Sequence, residues 1–275
     1  MSRAGLVRRN RGMWVPAESA ESLETRCAAA LRLLPPGSAI SHRTAALLRG
    51  LPVPDLVPAP KPEDEIIHVT VPGAADPRIK RLRVHRLSQP FRVESLRTDI
   101  AVTTSTRIWL DLAAELGRDD HVILGDNILN RDLSTPELLA AILDANVGRR
   151  GVAVARTRLL LLDGRADSPM ETRVRLLLVD NRIVGFVVNE VVYDSFGERL
   201  GKPDIAFIPP KFAVQYEGAH HREPDQFADD IRRDDCMREE GWFVLRLVSW
   251  DIFGRPMETV HRIRHELALR GFPCA

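Results

Sequence analysis

Two short apolar runs joined by a proline turn constrain the fold of this chain more than any other feature. Residues 202–218 read KPDIAFIPPKFAVQYEG, with IAF and FAV on either side of IPPK. This pattern predicts two neighbouring strands, and a turn this short joins strands that pair antiparallel. Asp204 then lies at the start of one strand, side by side with Glu217 near the end of the other. Because residues two apart share a face of a strand, Gln215 and Glu217 point to the same side.

Acidic side chains gathered at one end of a hairpin are suited to binding a divalent cation. Mg²⁺ takes oxygen ligands and keeps several waters, so two or three protein ligands are enough. Such an ion polarises a phosphoryl oxygen and supplies hydroxide near neutral pH, as phosphodiester hydrolysis requires. Asp204 and Glu217 are the expected ligands of Mg²⁺ or Mn²⁺, and Glu171 on the preceding helix offers a third carboxylate.

A polar segment at about residues 163–168, which contains DGRAD, divides the chain into two parts. Before it, residues 1–162 predict mostly helices and one small sheet, whose strands DEIIHVTVP and RLRVHRLS are joined by a turn. After it, residues 168–275 predict a helix, three strands, a helix, a strand and a final helix. The first of these strands is FVVNEVVYD, and the apolar run WFVLRLVSW predicts a central strand. The expected fold class is therefore α+β or α/β, in two domains.

Capping residues predict where several helices begin. Ser41 precedes a short helix as its expected N-cap. In STPELLAAILDANVG, Ser134 is the expected N-cap, with Pro136 in the first turn and Glu137 three residues on. The helix TSTRIWLDLAAELG is expected to end at Gly117.

Composition and charge exclude several classes of protein. The chain has 275 residues, 44% of them hydrophobic, and its net charge of +1 excludes a uniformly basic nucleic-acid-binding surface. Its three cysteines lack C-x-x-C spacing, which argues against a zinc site and a disulfide framework. No apolar run approaches the roughly 18 residues of a membrane span, and no signal peptide is recognisable. We expect a cytoplasmic protein with no membrane partner.

Four motifs occur in unbroken order between about residues 168 and 253: SPMETRVRLLL, KPDIAF, FAVQYEGAHH and DDIRRDDCMREEGWFVLRL. They resemble the Vsr-like branch of the PD-(D/E)XK nucleases, whose restriction-endonuclease-like core is a mixed sheet flanked by helices. The resemblance implies a set of catalytic residues: Glu171, Asp204, Gln215, Glu217, His221 and Arg233. In that set Glu171, Asp204 and Glu217 bind the metal. His221 acts on the water or the leaving group, and Arg233 contacts phosphate or holds the site together.

Two positions depart from the family pattern. The group that the chain most resembles reads E-Y-D-G where this chain reads QYEG, so Gln215 offers an amide oxygen in place of a carboxylate. The loss of a negative charge is expected to weaken metal binding. The lysine of the family's general signature is also missing, which leaves its role to a histidine or to a metal-bound water.

Several of these residues also have simpler structural interpretations. Glu171 completes the capping box SPME, with Pro169 at the first helical position. Asp204 follows a proline and could be a turn acid, while His220 and His221 could lie in a solvated loop. The charged helix DQFADDIRRDDCMREEG could be a solvent-exposed face.

The segments SHRTAALLRGLPVP, IIHVTVP, RLRVHRL and VTTSTRIWLDLA in the first part resemble the AbiEi family of type IV antitoxins. In that family such a region follows a DNA-binding winged helix, and GLVRRNRGMWVP matches only the end of that module. Basic side chains neutralise phosphates without reading sequence, and those expected to do so are Arg81, Arg83, Arg86, His220, Arg222 and Arg232. A charged edge strand is the alternative for the first three. His42, His68 and His85 are scattered in sequence, and structural or surface roles are favoured for them.

The leading hypothesis is an AbiEi-like region, residues 1–162, joined to a metal-dependent DNA endonuclease domain, residues 168–275. The alternative is a non-catalytic DNA-binding regulator of the antitoxin kind, in which the nuclease core is a scaffold. A third hypothesis is binding to a toxin or phage-defence partner protein. Gln215 favours the regulator, whereas Asp204 and Glu217 favour the enzyme.

Overall fold

The structure is a computed structural model, and it describes residues 6–10, 13–16, 22–54, 65–96, 99–218 and 235–272. The chain forms two compact units, Met1–Leu162 and Asp163–Ala275. Each unit contains helices and strands, which confirms the mixed α and β class. None of the helices in the described part of the chain has the length and apolar character needed to cross a bilayer.

The N-terminal unit contains a two-stranded sheet, a five-stranded mixed sheet and six helices among the described residues. Its strands are β1 (Leu6–Asn10), β2 (Met13–Pro16), β3 (Ala39–Ile40), β4 (Ile67–Pro72), β5 (Leu82–Leu87), β6 (Val93–Leu96) and β7 (Ile100–Thr103). Its helices are α1 (Leu23–Leu31), α2 (His42–Leu48), α3 (Ser105–Leu112), α4 (Arg118–Asn130), α5 (Pro136–Asp144) and α6 (Val152–Leu159). Strands β1 and β2 pair with each other, and the other five follow the order β5-β4-β3-β7-β6.

Helices α3 and α4 carry much of the apolar core of this unit. Ile108 and Trp109 of α3 are fully buried, as are Leu124 and Ile128 of α4. Leu124 and Ile128 are four residues apart, so they lie on one face of the helix. One face of α4 therefore packs into the core together with α3.

Strands β4 and β5 pair in parallel, which overturns the expectation that a simple turn joins them. Ile67 lies opposite Leu82 and Pro72 lies opposite Leu87, so residues 73–81 return the chain to the starting edge of the sheet. A six-residue strand is about 20 Å long, a distance that this segment can span. Strand patterns report which face is buried but not the direction of pairing, and that is why the prediction was wrong.

Two helix boundaries in this unit also differ from the expected ones. Thr135 is the N-cap of α5, and its Oγ1 accepts a hydrogen bond from Leu138 N at 3.3 Å. The prediction of Ser134 was wrong by one residue, because Ser134 Oγ lies 2.8 Å from Thr106 Oγ1 in a tertiary contact. Gly117 is the N-cap of α4 instead of the end of the preceding helix.

The C-terminal unit contains a four-stranded mixed sheet and a two-stranded ribbon. Its strands are β8 (Val187–Val188), β9 (Val192–Tyr193), β10 (Arg199–Gly201), β11 (Ile205–Phe207), β12 (Phe212–Tyr216) and β13 (Phe243–Leu247). Its helices are α7 (Pro169–Asp180), α8 (residues 235–239), α9 (Ser249–Phe253) and α10 (Pro256–Leu269). The sheet order is β13-β12-β11-β8, and β10 pairs with β9.

The predicted hairpin is confirmed. Strands β11 and β12 pair antiparallel with Ile205 opposite Val214, and β12 pairs in parallel with β13. Phe207 and Phe212 are fully buried, with ring centroids 5.6 Å apart. The alternate residues Ala206 and Ala213 are also fully buried, in a second apolar cluster, so both faces of the hairpin are covered.

Two strand predictions in this unit were wrong. FVVNEVVYD forms two short strands in different sheets, interrupted at Asn189, whose φ of 50° is left-handed. WFVLRLVSW forms β13, which lies at one end of the sheet within the described residues instead of at its centre. An apolar run reports burial of both faces but does not show whether a strand has one neighbour or two.

Candidate functional site

Asp204 lies immediately before β11 and is held by the neighbouring strand. Its side chain is buried, and its Oδ1 accepts a hydrogen bond from Gln215 Nε2 at 2.9 Å. Its Oδ2 accepts a second bond from Tyr216 N at 2.6 Å. The hairpin register therefore brings Asp204 together with Gln215, whereas the sequence had placed Glu217 beside it.

Glu171 is both a helix cap and a member of the same acidic cluster. Glu171 N donates to Ser168 Oγ at 3.3 Å, which confirms the predicted N-cap of α7. Glu171 Oε2 accepts from Asp167 N at 2.7 Å and from Asn189 Nδ2 at 2.6 Å. Asn189 N in turn donates to the Asp204 carbonyl at 3.0 Å, so one residue connects the two acids. Glu171 can therefore take part in the start of α7 and lie near Asp204 at the same time.

Burial raises the pKa of Asp204 to about 7. Within that shift the negative charges of Glu171 and Asp167 act in the same direction as burial, while the Tyr216 N–H bond and Lys202 oppose it. Lys202 Nζ donates to Asp167 Oδ2 at 2.6 Å, which places a cation at this edge of the sheet. The cluster can therefore hold a proton near neutral pH, and a bound cation would relieve the repulsion among its acids.

Glu217 lies beside an arginine that the sequence analysis did not include. Arg246 Nη1 donates to Glu217 Oε1, because parallel pairing sets Gln215 of β12 opposite Arg246 of β13. Glu217 N also donates to the Leu247 carbonyl at 2.7 Å. The guanidinium already neutralises the carboxylate that was expected to bind metal.

The donor chemistry of Asp204 and Glu171 fits a hard cation such as Mg²⁺. Each is a buried carboxylate, and each oxygen of Asp204 accepts one hydrogen bond and has a further lone pair, while Glu171 accepts two bonds at Oε2. Glu217 fits less well, since a metal would have to compete with Arg246. The carboxylates of Glu171, Asp204 and Glu217 do not all lie within 4.8 Å of one another, a condition that among the described residues is met by a different group.

Five predicted residues lie outside the part of the chain that the structure describes: His220, His221, Arg222, Arg232 and Arg233. Arg81 precedes β5, and Arg83 and Arg86 lie on it with exposed side chains. Arg86 Nη1 is 3.9 Å from Asp76 Oδ2. β5 is at one end of its sheet among the described strands, as the charged-edge interpretation requires.

A second cluster, formed by His42, His68 and His85, was missed by sequence reasoning, which treated these residues as scattered. One nitrogen of each histidine lies within 4.8 Å of the other two. Burial is the largest of the effects that lower the pKa of His42 to about 2 and those of His68 and His85 to about 4. The parallel pairing of β4 with β5 brings His68 and His85 together, so the wrong strand direction concealed the cluster.

Comparisons with known proteins give relatives without a described activity. No protein-family model matches the chain. It is 32% identical over 123 residues to uncharacterized protein Rv2248 of Mycobacterium tuberculosis, and equally to uncharacterized protein MT2308 from another strain of that organism. The aligned stretch covers 44% of this chain and 44% of each relative, so the comparison spans less than half of either protein.

Proposed function

We propose that the chain is a metal-dependent DNA endonuclease of the PD-(D/E)XK type, with its active centre at the acidic end of the hairpin formed by β11 and β12. The observation that carries this proposal is the burial of Asp204 beside Glu171. Two neighbouring carboxyl groups that are shielded from water disfavour each other's ionisation. A divalent cation removes that cost, and a strongly raised pKa is typical of functional sites.

The arrangement of the C-terminal unit supports the proposal. Helix α7 is followed by antiparallel strands β8, β11 and β12, and then by β13, which is parallel to β12. A mixed sheet with helices is what the resemblance to the Vsr-like nucleases implies. We extend the proposal to the N-terminal unit as an AbiEi-like region that binds DNA or a toxin or defence-system protein.

Some of these groups would bind the metal, and others would position the carboxylate that binds it. Asp204 and Glu171 would hold Mg²⁺ or Mn²⁺, assisted by Gln215 and Glu217. When bound, the ion polarises the phosphoryl group and lowers the pKa of its water. Gln215 Nε2 and Tyr216 N fix the carboxylate of Asp204, so that its oxygens need not reorganise.

Groups outside the described residues complete the proposed set. His221 acts on the water or the leaving group. Arg233 contacts phosphate, while His220, Arg222 and Arg232 neutralise the DNA backbone.

A plasmid-nicking assay tests the proposal. The full chain is incubated with supercoiled plasmid and Mg²⁺ or Mn²⁺, with EDTA as the metal control. We expect wild type to nick and Asp204→Asn to lose at least about 1000-fold in rate, since a metal contributes several kcal/mol of transition-state stabilisation. The matched control is Glu198→Gln, an exposed acid of the same unit that should nick as wild type does. Equal nicking by Asp204→Asn and wild type would contradict the proposal.

The ion pair between Arg246 and Glu217 favours a second candidate, a DNA-binding regulator whose nuclease core is a scaffold. In that case neither wild type nor Asp204→Asn cleaves, and both retard DNA equally in a gel. Replacing Arg83 and Arg86 by glutamine then weakens retardation and its dependence on salt, because each lost phosphate contact reduces counterion release.

A further inference from the structure

The cluster of His42, His68 and His85 lies in the N-terminal unit, and the proposed nuclease chemistry makes no use of it. It draws on three separate elements: His42 begins α2, His68 lies on β4 and His85 lies on β5. We propose that these three imidazoles bind a zinc ion, and that Asp111 orients His42 for this purpose.

The spacing of two ligand nitrogens agrees with a shared ion. His85 Nε2 and His68 Nδ1 are 3.2 Å apart and share a hydrogen bond, which a common ion would replace. In a tetrahedral site with zinc–nitrogen bonds of about 2.0–2.1 Å, neighbouring nitrogens lie roughly 3.3–3.4 Å apart. The pair therefore needs little movement to hold one ion.

Asp111 supplies a separate observation that points to the same site. Its side chain is 3% exposed, and its Oδ2 has no hydrogen-bond partner although it lies 3.5 Å from His42 Nδ1. Arg107 Nε holds the other oxygen, Oδ1, at 2.7 Å. Ligating histidines commonly donate their second ring N–H to a carboxylate, which sets the tautomer and the ring orientation. His42 Nδ1 also lies 3.0 Å from Ser41 Oγ, so this side of the ring faces Ser41 and Asp111 and His42 Nε2 is left for the metal.

His42 is the ligand that must move. Its ring stacks on that of His85 with centroids 3.5 Å apart, so a shared ion requires the ring to turn until its nitrogen points at the ion. The backbone of His42 has a φ of 51°, a left-handed conformation that is costly for a residue with a side chain. Such strain persists where the surrounding structure holds it, and it concentrates at functional sites.

The donor set selects zinc over the magnesium of the proposed nuclease site. Imidazole is a borderline ligand that suits zinc, whereas Mg²⁺ prefers oxygen. Burial favours the neutral imidazole, which is the form that ligates. Three protein ligands leave the fourth position of a tetrahedral ion open, and His42, His85 and Asp111 line a cavity of about 310 Å³. A small ligand or water can complete the coordination from that side.

Metal titration of the full chain tests this inference. After chelation and desalting, the protein is titrated with Zn²⁺ by calorimetry, and with Co²⁺ to read the visible bands of tetrahedral coordination. His85→Asn should bind Zn²⁺ at least about 100-fold more weakly because it loses a ligand, and Asp111→Asn about 10-fold more weakly because it loses the carboxylate that orients a ligand. His265→Gln, which changes an exposed histidine of α10, should bind as wild type does.

Two further variants separate this site from the nuclease proposal and from a folding defect. Asp204→Asn should retain full zinc affinity, so the two proposals can fail separately. His85→Cys should still bind and should add a thiolate-to-cobalt charge-transfer band, which a merely structural role of His85 would not produce. The inference is overturned if wild type binds no zinc, if His85→Asn binds as tightly as wild type, or if the Co²⁺ complex is not tetrahedral.

Discussion

Burial shifts the pKa values of the histidines in the N-terminal unit and of Asp204 in the C-terminal unit in opposite directions. The N-terminal unit buries imidazoles, whose pKa values are lowered, and the C-terminal unit buries a carboxyl group, Asp204, whose pKa is raised. In each case loss of contact with water is the largest cause, because burial disfavours whichever form carries charge. The same physical effect, loss of hydration, therefore favours neutral imidazoles in the N-terminal unit and a protonated carboxyl group in the C-terminal unit. It also gives these histidines and Asp204 opposite responses to pH, whereas the buried Asp111 of the N-terminal unit, whose pKa is raised to about 6, responds as Asp204 does.

Substitutions in the apolar cores should have the largest effects on stability, and these effects should be similar in the two units. Trp109→Ala and Phe207→Ala each remove a fully buried ring and should lower the free energy of unfolding by about 3–5 kcal/mol, measured in urea. Phe196→Ala, at a ring that is 89% exposed, should change it by less than about 0.5 kcal/mol. A small effect of Trp109→Ala beside a large effect of Phe207→Ala would mean that the cores, and not only the polar clusters, are unlike.

Asp204 should make the C-terminal unit less stable as pH rises. Its folded pKa of about 7 lies above the ordinary value of 3.8, so its proton stabilises the folded state below pH 4, and that contribution is lost as pH rises through 7. Asp204→Asn should therefore gain stability relative to wild type over this range, by at most about 4 kcal/mol. Urea unfolding at several pH values measures the difference, and a constant difference would contradict the raised pKa. Glu198→Gln is the control.

His121 should act in the opposite direction in the N-terminal unit. It is fully buried, its Nε2 donates to the Trp109 carbonyl at 2.8 Å, and burial, with Arg158, lowers its pKa from 6.5 to about 4. The contribution of neutral His121 to the free energy of unfolding, about 3 kcal/mol, is fully present above pH 6.5 and is lost as pH falls through 4. Wild type should lose stability relative to His121→Gln on acidification, while the exposed His265→Gln follows wild type. If wild type instead lost stability relative to His121→Gln as pH rose, the predicted contrast between His121 and Asp204 would be wrong.

Helix caps give the smallest expected effects and compare one serine from each unit. Ser168 Oγ accepts from Glu171 N, so Ser168→Ala should cost about 1 kcal/mol. Ser22 occupies the N-cap of α1 without a capping bond, and its Oγ donates to Glu24 Oε2 at 2.6 Å. Ser22→Ala should therefore cost less than about 0.5 kcal/mol by thermal unfolding. Equal losses would show that the side-chain bond is not what stabilises α7.

Local signals predicted the hairpin and the start of α7, because a short turn or a cap depends on residues close in sequence. The parallel pairing of β4 with β5 and the end position of β13 were not predictable in the same way. Pairing direction depends on how whole strands bury their faces, and alternation of side chains is the same in both directions.

The sequence by itself determined that Asp204 lies at the end of a hairpin beside the last residues of β12, since a short turn joins the two strands. Only the tertiary structure decided that Glu217 pairs with Arg246, and that three histidines on separate elements converge near Asp111. The physical reason is the range of the contacts. A hairpin closes a short loop at small entropic cost, whereas these contacts require distant segments to be ordered first by the packing of the apolar cores.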